Sequence, residues 1–278
     1  MMNKSKIDYV DFSWNPVTGC LHTCEYCYAR KQARRFSGDI KLNLASDQLE
    51  KTEHFKDADT GAYKTYVLKE PFRSCTGATV PFPAGFAPTL HEYRLVMPAQ
   101  KKKPANIFVG SMADLFGEWV PEEWLDRVFE ACAAAPWHNY LFLTKNPQKY
   151  ALLADAGKLP QGDNYWYGTT VTGKGTHIFS GDNRYHTFLS IEPLLESLDA
   201  GLGSFSTCEW IIVGAETGNR RGKIAPKPEW IANIVETAKI MQAAVFLKDS
   251  KEMRTAAGDL VDKWRELPPE LQHKRKNG

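Results

Sequence analysis

Short apolar runs alternate with stretches of helical periodicity from about residue 105 onward. Each run is almost continuously apolar and then ends in polar residues, which is typical of parallel strands covered on both faces. The segments between the runs, such as 122–135 and 227–242, carry apolar residues at helical spacing. An earlier run at 9–14 fits one more strand. The later runs lie at 107–114, 140–146, 165–171, 187–194, 210–217 and 244–250.

Repeated strand–helix units predict an α/β fold whose parallel sheet is either open and doubly wound or closed into a barrel. The pattern gives six units and a seventh, terminal strand. Residues 36–104 interrupt it with a polar stretch followed by a stretch rich in Gly and Pro. We therefore expect a single domain over 1–278, with an insertion or lid at about 36–104 after the first unit.

Polar residues at the ends of the apolar runs are the first candidates for a functional site. The carboxyl ends of parallel strands meet at one edge of a sheet or barrel, and functional groups gather there. The alternative is that strand ends are simply where solvent begins. The residues concerned are Ser111, Asp114, Thr144, Lys145, Thr169, Thr170, Ser190, Glu192, Glu216, Thr217, Lys248 and Asp249.

Composition adds few constraints. Hydrophobic residues make up 43% of the chain, enough for a sizeable core, and the formal net charge of +2 neither indicates nor excludes a nucleic-acid partner. No apolar stretch approaches the roughly 18–20 residues that a membrane span needs. The first residues lack the apolar segment of a secretory signal, so we expect a soluble, cytoplasmic protein.

Three of the six cysteines, Cys20, Cys24 and Cys27, fall within eight residues, with the spacing C-x3-C-x2-C. Thiolates are soft ligands that suit iron–sulfur clusters or zinc. Three ligands are fewer than the four of a closed zinc site, whereas on a 4Fe–4S cluster they leave one iron open. The alternatives are a structural zinc module closed by His22 or Cys75, and a degenerate barrel that binds a partner without turnover.

The C-x3-C-x-aromatic-C segment after the first strand resembles the signature of the radical S-adenosylmethionine superfamily. That resemblance implies a partial (β/α)6 TIM-type barrel with an extra C-terminal strand. It also implies a 4Fe–4S cluster on the three cysteines, S-adenosylmethionine on the open iron, and a reductant such as flavodoxin or ferredoxin. The expected reaction is reductive cleavage of S-adenosylmethionine to a 5′-deoxyadenosyl radical, which abstracts hydrogen from a substrate.

The stretches FSWNPVTGC, IFVGSMADLF, FLTKNP, SIEPLL and VGAETG resemble, more narrowly, a phage-protein family of this superfamily and also spore photoproduct lyase. This implies a nucleoside or DNA substrate. Our expectation is a radical rearrangement (isomerase) of a modified pyrimidine in phage DNA, with a DNA-lesion lyase as the alternative. We expect a monomer.

The same resemblance suggests roles for the strand-end residues. Ser111 and Asp114 would receive the amino group of S-adenosylmethionine, Lys145 would pair with its carboxylate, and Thr169 and Thr170 would face the ribose. An amino acid bound as a zwitterion needs acceptors for its ammonium group and a cation for its carboxylate. The alternative is that Asp114 and Lys145 form an ion pair with each other. The candidates for catalysis are Glu192 and Glu216, near the nucleoside or substrate, and Cys75, as a hydrogen-atom donor or fourth metal ligand.

Overall fold

The computed structural model of the protein describes residues 2–55, 61–171, 173–198, 208–216, 220 and 223–272. The chain divides into two compact units. The first consists of Met1–Lys6 and Val10–His138, and the second of Ile7–Tyr9 and Asn139–Gly278. Among the described residues, no helix is both long enough and apolar enough to cross a membrane.

The first unit contains two groups of strands. In one group, β1 pairs antiparallel with β2, and β2 pairs parallel with β7. The other is a four-stranded sheet in the order β3-β6-β5-β4. The strands are β1 (Asn3–Lys4), β2 (Phe12–Trp14), β3 (Val17–Thr18), β4 (Glu50–Phe55), β5 (Ala62–Leu68), β6 (Thr89–His91) and β7 (Asn106–Val109). The helices are α1 (Tyr28–Arg35), α2 (Ile40–Leu44), α3 (Met97–Gln100) and α4 (Glu122–Ala133), with a 3-10 turn at Glu92–Arg94.

The predicted insertion at 36–104 has a sheet and a core of its own. The strands β4 and β5 form an antiparallel hairpin, and β5 continues the sheet by pairing parallel with β6. Leu68 and Phe72 lie in a small apolar cluster with Leu49, Tyr66 and Ala84. The sequence pattern does not reveal this sheet, because β4 and β6 carry few apolar residues and the apolar cluster joins positions far apart in the chain.

The second unit is a parallel sheet with helices. All four neighbouring pairs, from β8–β9 to β11–β12, are parallel, and the order along the sheet is the order along the chain. The strands are β8 (Asn139–Thr144), β9 (Tyr165–Thr170), β10 (His186–Ile191), β11 (Trp210–Val213) and β12 (Ala244–Leu247). The helices are α5 (Gln148–Asp155), α6 (Pro228–Met241), α7 (Lys251–Ala257) and α8 (Leu260–Lys263), with 3-10 turns at Gly181–Asn183 and Pro269–Leu271.

The predicted α/β class is confirmed, and all seven predicted strands form. The eight strands with mainly parallel pairing are β1, β2 and β7 in the first unit and β8 to β12 in the second. A doubly wound sheet reverses its strand order at a switch point, whereas the strands of a barrel follow one another in sequence. The sequential order from β8 to β12 is therefore of the barrel type.

Helix α6 shows why the periodic segments become helices that cover the sheet. It begins at Pro228, where the missing N–H costs nothing, and ends at Gln242 in a left-handed conformation with φ 57°. Ile231, Ile234 and Ala238 lie on one face and are buried. That face packs into the apolar cluster that contains Leu189, Ile211 and Val245 from the sheet, so the spacing of apolar residues decides which side of the helix is covered.

Candidate active site

The loop that carries the three cysteines begins at Gly19, directly after β3. Gly19 has φ 91°, and a Cβ atom there would lie 2.2 Å from the carbonyl oxygen of Ala87. Its N–H donates to the carbonyl oxygen of Met112 at 2.9 Å. Only glycine tolerates both this conformation and this close approach, so the first turn of the loop is fixed by sequence.

The far end of the cysteine loop is fixed by helix α1. Cys27 caps the helix, because its Sγ accepts a hydrogen bond from the backbone N–H of Arg30 at 3.3 Å. The Arg30 guanidinium donates to the carbonyl oxygens of Cys20, at 3.2 Å, and His22, at 2.5 Å. It also lies over the ring of Phe86, 5.0 Å from the ring centroid. One side chain therefore ties the start of the loop to the helix that ends it.

The three thiols on this loop are half-buried. Burial, and after it the charge of Asp114, raises the pKa of the Cys20 thiol to about 12, and the nearby Cys24 and Cys27 add to the shift. Among the described residues, no three His, Cys, Asp or Glu side chains are grouped to hold one metal ion. In an iron–sulfur cubane each cysteine binds a different iron, so three thiols spread along a loop fit that group by their chemistry and number.

Ser111 and Asp114 lie in the same unit, just beyond β7. The Ser111 hydroxyl exchanges hydrogen bonds with the Asn15 side chain at 3.1 and 3.2 Å. Asp114 is buried, accepts from His22 Nε2 at 2.9 Å, and accepts from the Phe116 N–H at 3.2 Å. His22, one of the two fourth ligands that the zinc alternative offers, is thus the hydrogen-bond partner of the predicted cofactor-binding carboxylate.

Thr169 and Thr170 point to opposite faces of the sheet in the second unit, because side chains alternate along a strand. Thr169 is in register with Leu189, which belongs to the apolar cluster under α6. Thr170 is in register with Ser190 and so shares its face. The two threonines are therefore not brought together, and only Thr170 lies on the side that is free of this helix-packed cluster.

Glu192 forms an ion pair with Lys248 at 2.7 Å between Oε1 and Nζ, and its other oxygen accepts from the Ser190 hydroxyl at 3.0 Å. Lys248 follows β12 and Glu192 follows β10, with β11 between them. Gly214, just after β11, makes this span possible, because a Cβ there would lie 2.7 Å from Glu192 Oε1. The exposed fractions of the side chains, 33% for Lys248 and 20% for Glu192, leave the pair reachable from solvent.

Glu216 follows β11 and is completely buried. One carboxylate oxygen pairs with Arg220 Nε at 2.5 Å, while Oε2 has no hydrogen-bond partner within the described part of the chain. A buried acceptor of this kind is costly unless something supplies a donor. Lys145, at the end of β8, is half-buried, and the Thr144 hydroxyl beside it accepts from the Asn146 N–H at 2.9 Å.

Cys75 is exposed on a tight turn of the first unit. The Gly77 N–H donates to the carbonyl oxygen of Ser74 at 2.8 Å, and the hydroxyls of Ser74 and Thr76 are 2.9 Å apart. The structure gives the Cys75 thiol no contact with the cysteine loop, so its predicted role as a hydrogen-atom donor or fourth ligand stays a prediction.

A cavity of about 340 Å³ lies at the amino-terminal ends of β10 and β11, away from the predicted chemistry. His186 lines it and hydrogen-bonds to Glu209 at 2.8 Å. This bond raises the pKa of His186, and the charges of Glu209, Glu270 and Asp163 add to it, although partial burial acts in the opposite direction. Its ring stacks on Trp166 at 4.5 Å. Opposite ends of parallel strands are seldom used for catalysis, so we regard this group as structural.

Several residues of these sites were not assigned from sequence. The requirement for glycine at positions 19 and 214 comes from Ala87 and Glu192, which lie against them. A glycine in a loop sequence does not by itself indicate that another residue packs closely against it. The two carbonyl oxygens that Arg30 contacts belong to residues 10 and 8 positions away, and the spacing of the cysteines gives no sign of these hydrogen bonds. Lys248 was recognised as a polar strand end, but the ion pair with Glu192 requires the sheet order.

A family model described as "Protein of unknown function (DUF5131)" matches residues 4–266. No curated protein matches. A cysteine-to-alanine variant of spore photoproduct lyase has a TM-score of 0.51 at 11% identity, over 89% of this chain and 78% of that one. Another variant of that enzyme, "with bound AdoMet and dinucleoside spore photoproduct", scores 0.49 at 10% identity over the same shares. The first likeness confirms the predicted similarity at the level of the fold.

Proposed function

The chain belongs to the DUF5131 family, and we propose that it is a radical S-adenosylmethionine enzyme acting on a modified pyrimidine base in DNA. The cysteine loop carries this proposal. It provides three half-buried thiols within eight residues, on a segment held at one end by Gly19 and at the other by Arg30. A fold shared with spore photoproduct lyase supports an enzyme of the same general type.

Cys20, Cys24 and Cys27 would hold a 4Fe–4S cluster that leaves one iron open for S-adenosylmethionine. When bound and reduced, these cofactors supply a 5′-deoxyadenosyl radical that takes a hydrogen atom from the substrate. The protein's own contribution is to fix the conformation of the cysteine loop. Arg30 fixes the loop through two carbonyl oxygens, and a cap at Cys27 anchors the last ligand to helix α1.

Ser111 and Asp114 are our candidates for binding the amino group of S-adenosylmethionine in the first unit. Asp114 is a buried carboxylate at the end of β7 that His22 and the Phe116 N–H hold in place, and an ammonium group needs an acceptor of this kind. In the second unit, Lys145 is the candidate cation for the cofactor carboxylate. Thr170 is the better candidate for the ribose, because Thr169 faces the apolar cluster under α6.

Glu192 and Glu216 are our candidates for contact with the substrate. Glu216 Oε2 is a buried acceptor with no protein donor among the described residues, and pyrimidine bases offer N–H donors. Glu192 presents a charge fixed by Lys248 and Ser190, so it can bind a polar substituent without reorienting. Cys75 remains a proposed hydrogen-atom donor. The reaction we propose is a radical rearrangement of a substituent on the pyrimidine, which is an isomerisation.

The test begins with anaerobic reconstitution of iron and sulfide, followed by reduction in the presence of S-adenosylmethionine. Wild type is expected to bind about four irons with acid-labile sulfide per chain and to form 5′-deoxyadenosine. Cys24→Ala should lose most of the iron and all cleavage. Thr76→Ala is the matched control for iron content, because that side chain is exposed, lies outside the loop and has no predicted metal role. Zinc without sulfide in the wild type would refute the proposal in favour of the structural zinc module.

A DNA-lesion lyase is the second candidate, favoured by the fold shared with spore photoproduct lyase. The two reactions begin with the same hydrogen abstraction and differ in products. A lyase separates two joined pyrimidines, whereas an isomerase returns one base of unchanged mass. Digestion of treated DNA to nucleosides and mass spectrometry distinguishes them.

A further inference from the structure

Part of the predicted insertion at 36–104 lies directly against the start of the cysteine loop, within the first unit. Strand β6 pairs antiparallel with β3, whose two residues precede the loop. The Cys20 N–H donates to the carbonyl oxygen of Phe86 at 3.2 Å. The His91 N–H donates to the carbonyl oxygen of Pro16 at 2.8 Å. The insertion therefore supports the loop from the side where the loop begins.

Four side chains extend this support and are joined by hydrogen bonds; we call Thr18, His91, Tyr93 and Arg94 the Thr18 network. The Arg94 guanidinium donates to the Tyr93 hydroxyl oxygen through Nε at 3.1 Å and through Nη2 at 3.0 Å. The Tyr93 hydroxyl lies 3.3 Å from His91 Nδ1. His91 Nε2 lies 2.9 Å from the Thr18 hydroxyl, and both of these residues are buried. The network therefore ends two residues before Cys20.

Arg94 fixes the direction of these hydrogen bonds, because a guanidinium can only donate. The Tyr93 oxygen accepts from Arg94, so its single proton is donated to His91 Nδ1. The imidazole then carries its own proton on Nε2 and donates it to Thr18. Burial, and after it the charge of Arg94, lowers the pKa of His91 well below its ordinary value, so the ring is neutral. Each group of the network is thus held in one orientation.

The other end of the network reaches a residue that we propose as a ligand of the S-adenosylmethionine amino group. Arg94 Nη1 donates to the carbonyl oxygen of Asn15 at 2.9 Å. The Asn15 side chain exchanges hydrogen bonds with Ser111 and accepts from the Met112 N–H at 2.8 Å. The Met112 carbonyl oxygen accepts in turn from the Gly19 N–H. The start of the cysteine loop and the loop after β7 are therefore joined through one set of contacts.

Stability alone does not require such a network. Burying polar groups costs free energy, and replacing hydrogen-bonded partners by apolar groups of the same shape is often nearly neutral. In the described part of the chain, Arg94 has no carboxylate partner, and only hydroxyl and carbonyl oxygens accept from it. What a fully bonded polar network does provide is a single geometry. We therefore looked for its use in the two loops that it joins.

We propose that His91 is a positioning residue for the radical chemistry, which acts through Thr18 to set the place of Cys20 relative to Ser111. This inference rests on the proposed function. A cofactor that binds the open iron while Ser111 and Asp114 receive its amino group must span both loops. A shift of one loop against the other then weakens cofactor binding without removing any ligand of the cluster. His91 itself is completely buried.

The experiment compares two buried threonines of the same four-stranded sheet in the reconstituted protein. Thr18→Val removes the end of the network. The control, Thr65→Val, removes a hydroxyl that lies 2.6 Å from the Thr52 hydroxyl in the β4–β5 hairpin. The dissociation constant of S-adenosylmethionine, measured by anaerobic equilibrium dialysis, should rise about fivefold in Thr18→Val, as expected for one lost hydrogen bond, and stay within about twofold in the control. Iron content should match wild type in both variants, and Thr18→Ser, which keeps the hydroxyl, should bind like wild type.

Two further measurements test the network itself. Tyr93→Phe leaves Thr18 intact and should raise the same dissociation constant. Nitrogen-15 NMR of the unloaded protein, assigned with His91→Gln, should show a neutral imidazole protonated on Nε2 from about pH 5.5 to 8. Equal effects of Thr18→Val and Thr65→Val on cofactor binding overturn the inference, and so does an imidazole protonated on Nδ1. A wild type that assembles the cluster but does not bind S-adenosylmethionine refutes the proposed function instead.

Discussion

Gly214→Ala tests whether a residue without Cβ is required after β11 for Glu192 to form its ion pair with Lys248. The new Cβ would lie 2.7 Å from Glu192 Oε1 and 3.1 Å from its Cγ. Ordinary contacts are about 3.5 Å, so the carboxylate must move by roughly 0.8 Å. A movement of that size away from Lys248 lengthens the 2.7 Å ion pair to about 3.5 Å and weakens it. Overpacking of this kind costs about 1–3 kcal/mol, and the half-exposed ion pair adds less than that.

We expect Gly214→Ala to lower the free energy of unfolding by about 2 kcal/mol, which corresponds to about 4–8 °C in Tm for a chain of this size. The assay is urea unfolding of wild type, Gly214→Ala, Glu192→Ala and the double variant. In the Glu192→Ala background the carboxylate that the new Cβ would clash with is absent. There Gly214→Ala should lower the free energy of unfolding by less than about 0.5 kcal/mol. An equal cost of Gly214→Ala in both backgrounds would refute the reasoning, because the destabilisation would then come from the backbone.

Three further predictions follow from individual contacts. Arg30→Ala should reduce the iron retained after reconstitution at least about twofold, because two loop carbonyls lose their donor, while Lys31→Ala next to it retains wild-type iron. Gly19→Ala should unfold the chain or lower the free energy of unfolding by more than about 3 kcal/mol in a urea titration, since the conformation and a backbone contact both exclude Cβ. The raised pKa of His186 means that its stabilising contribution is complete below about pH 6.5 and is lost as pH rises through the raised value. Glu209→Gln should remove that pH dependence of the free energy of unfolding between pH 6 and 8, and an unchanged slope would contradict the assignment.

The strands and their class could be read from the sequence because a doubly covered strand must be apolar along its whole length. The runs at 165–171 and 187–194 became β9 and β10 with ends shifted by no more than a few residues. The sheet inside 36–104 could not be predicted in the same way. Its strands β4 and β6 carry few apolar residues, and its core of five residues is drawn from positions far apart in sequence.

The three cysteines lie close together in the chain, so their arrangement can be predicted from the sequence alone. The spacing of Cys20, Cys24 and Cys27 predicts a soft-metal chelating loop without any knowledge of neighbouring residues. The faces of Thr169 and Thr170 show the limit of such reasoning. Adjacent strand residues cannot share a face, but deciding which of them faces away from the helix-packed cluster requires the register with Leu189 and Ser190.

The sequence by itself determined the parallel α/β class, the order of the strands along the chain and the close spacing of the three cysteines on one loop. These depend on periodicity and on residues close in the chain. Tertiary structure alone decided that β8 to β12 follow one another in the sheet, that Glu192 crosses Gly214 to reach Lys248, and that Asp114 pairs with His22. Such contacts join residues far apart in sequence, and they depend on the hydrogen-bond register between strands and on steric fit. Neither of these produces a periodic pattern of apolar residues in the sequence.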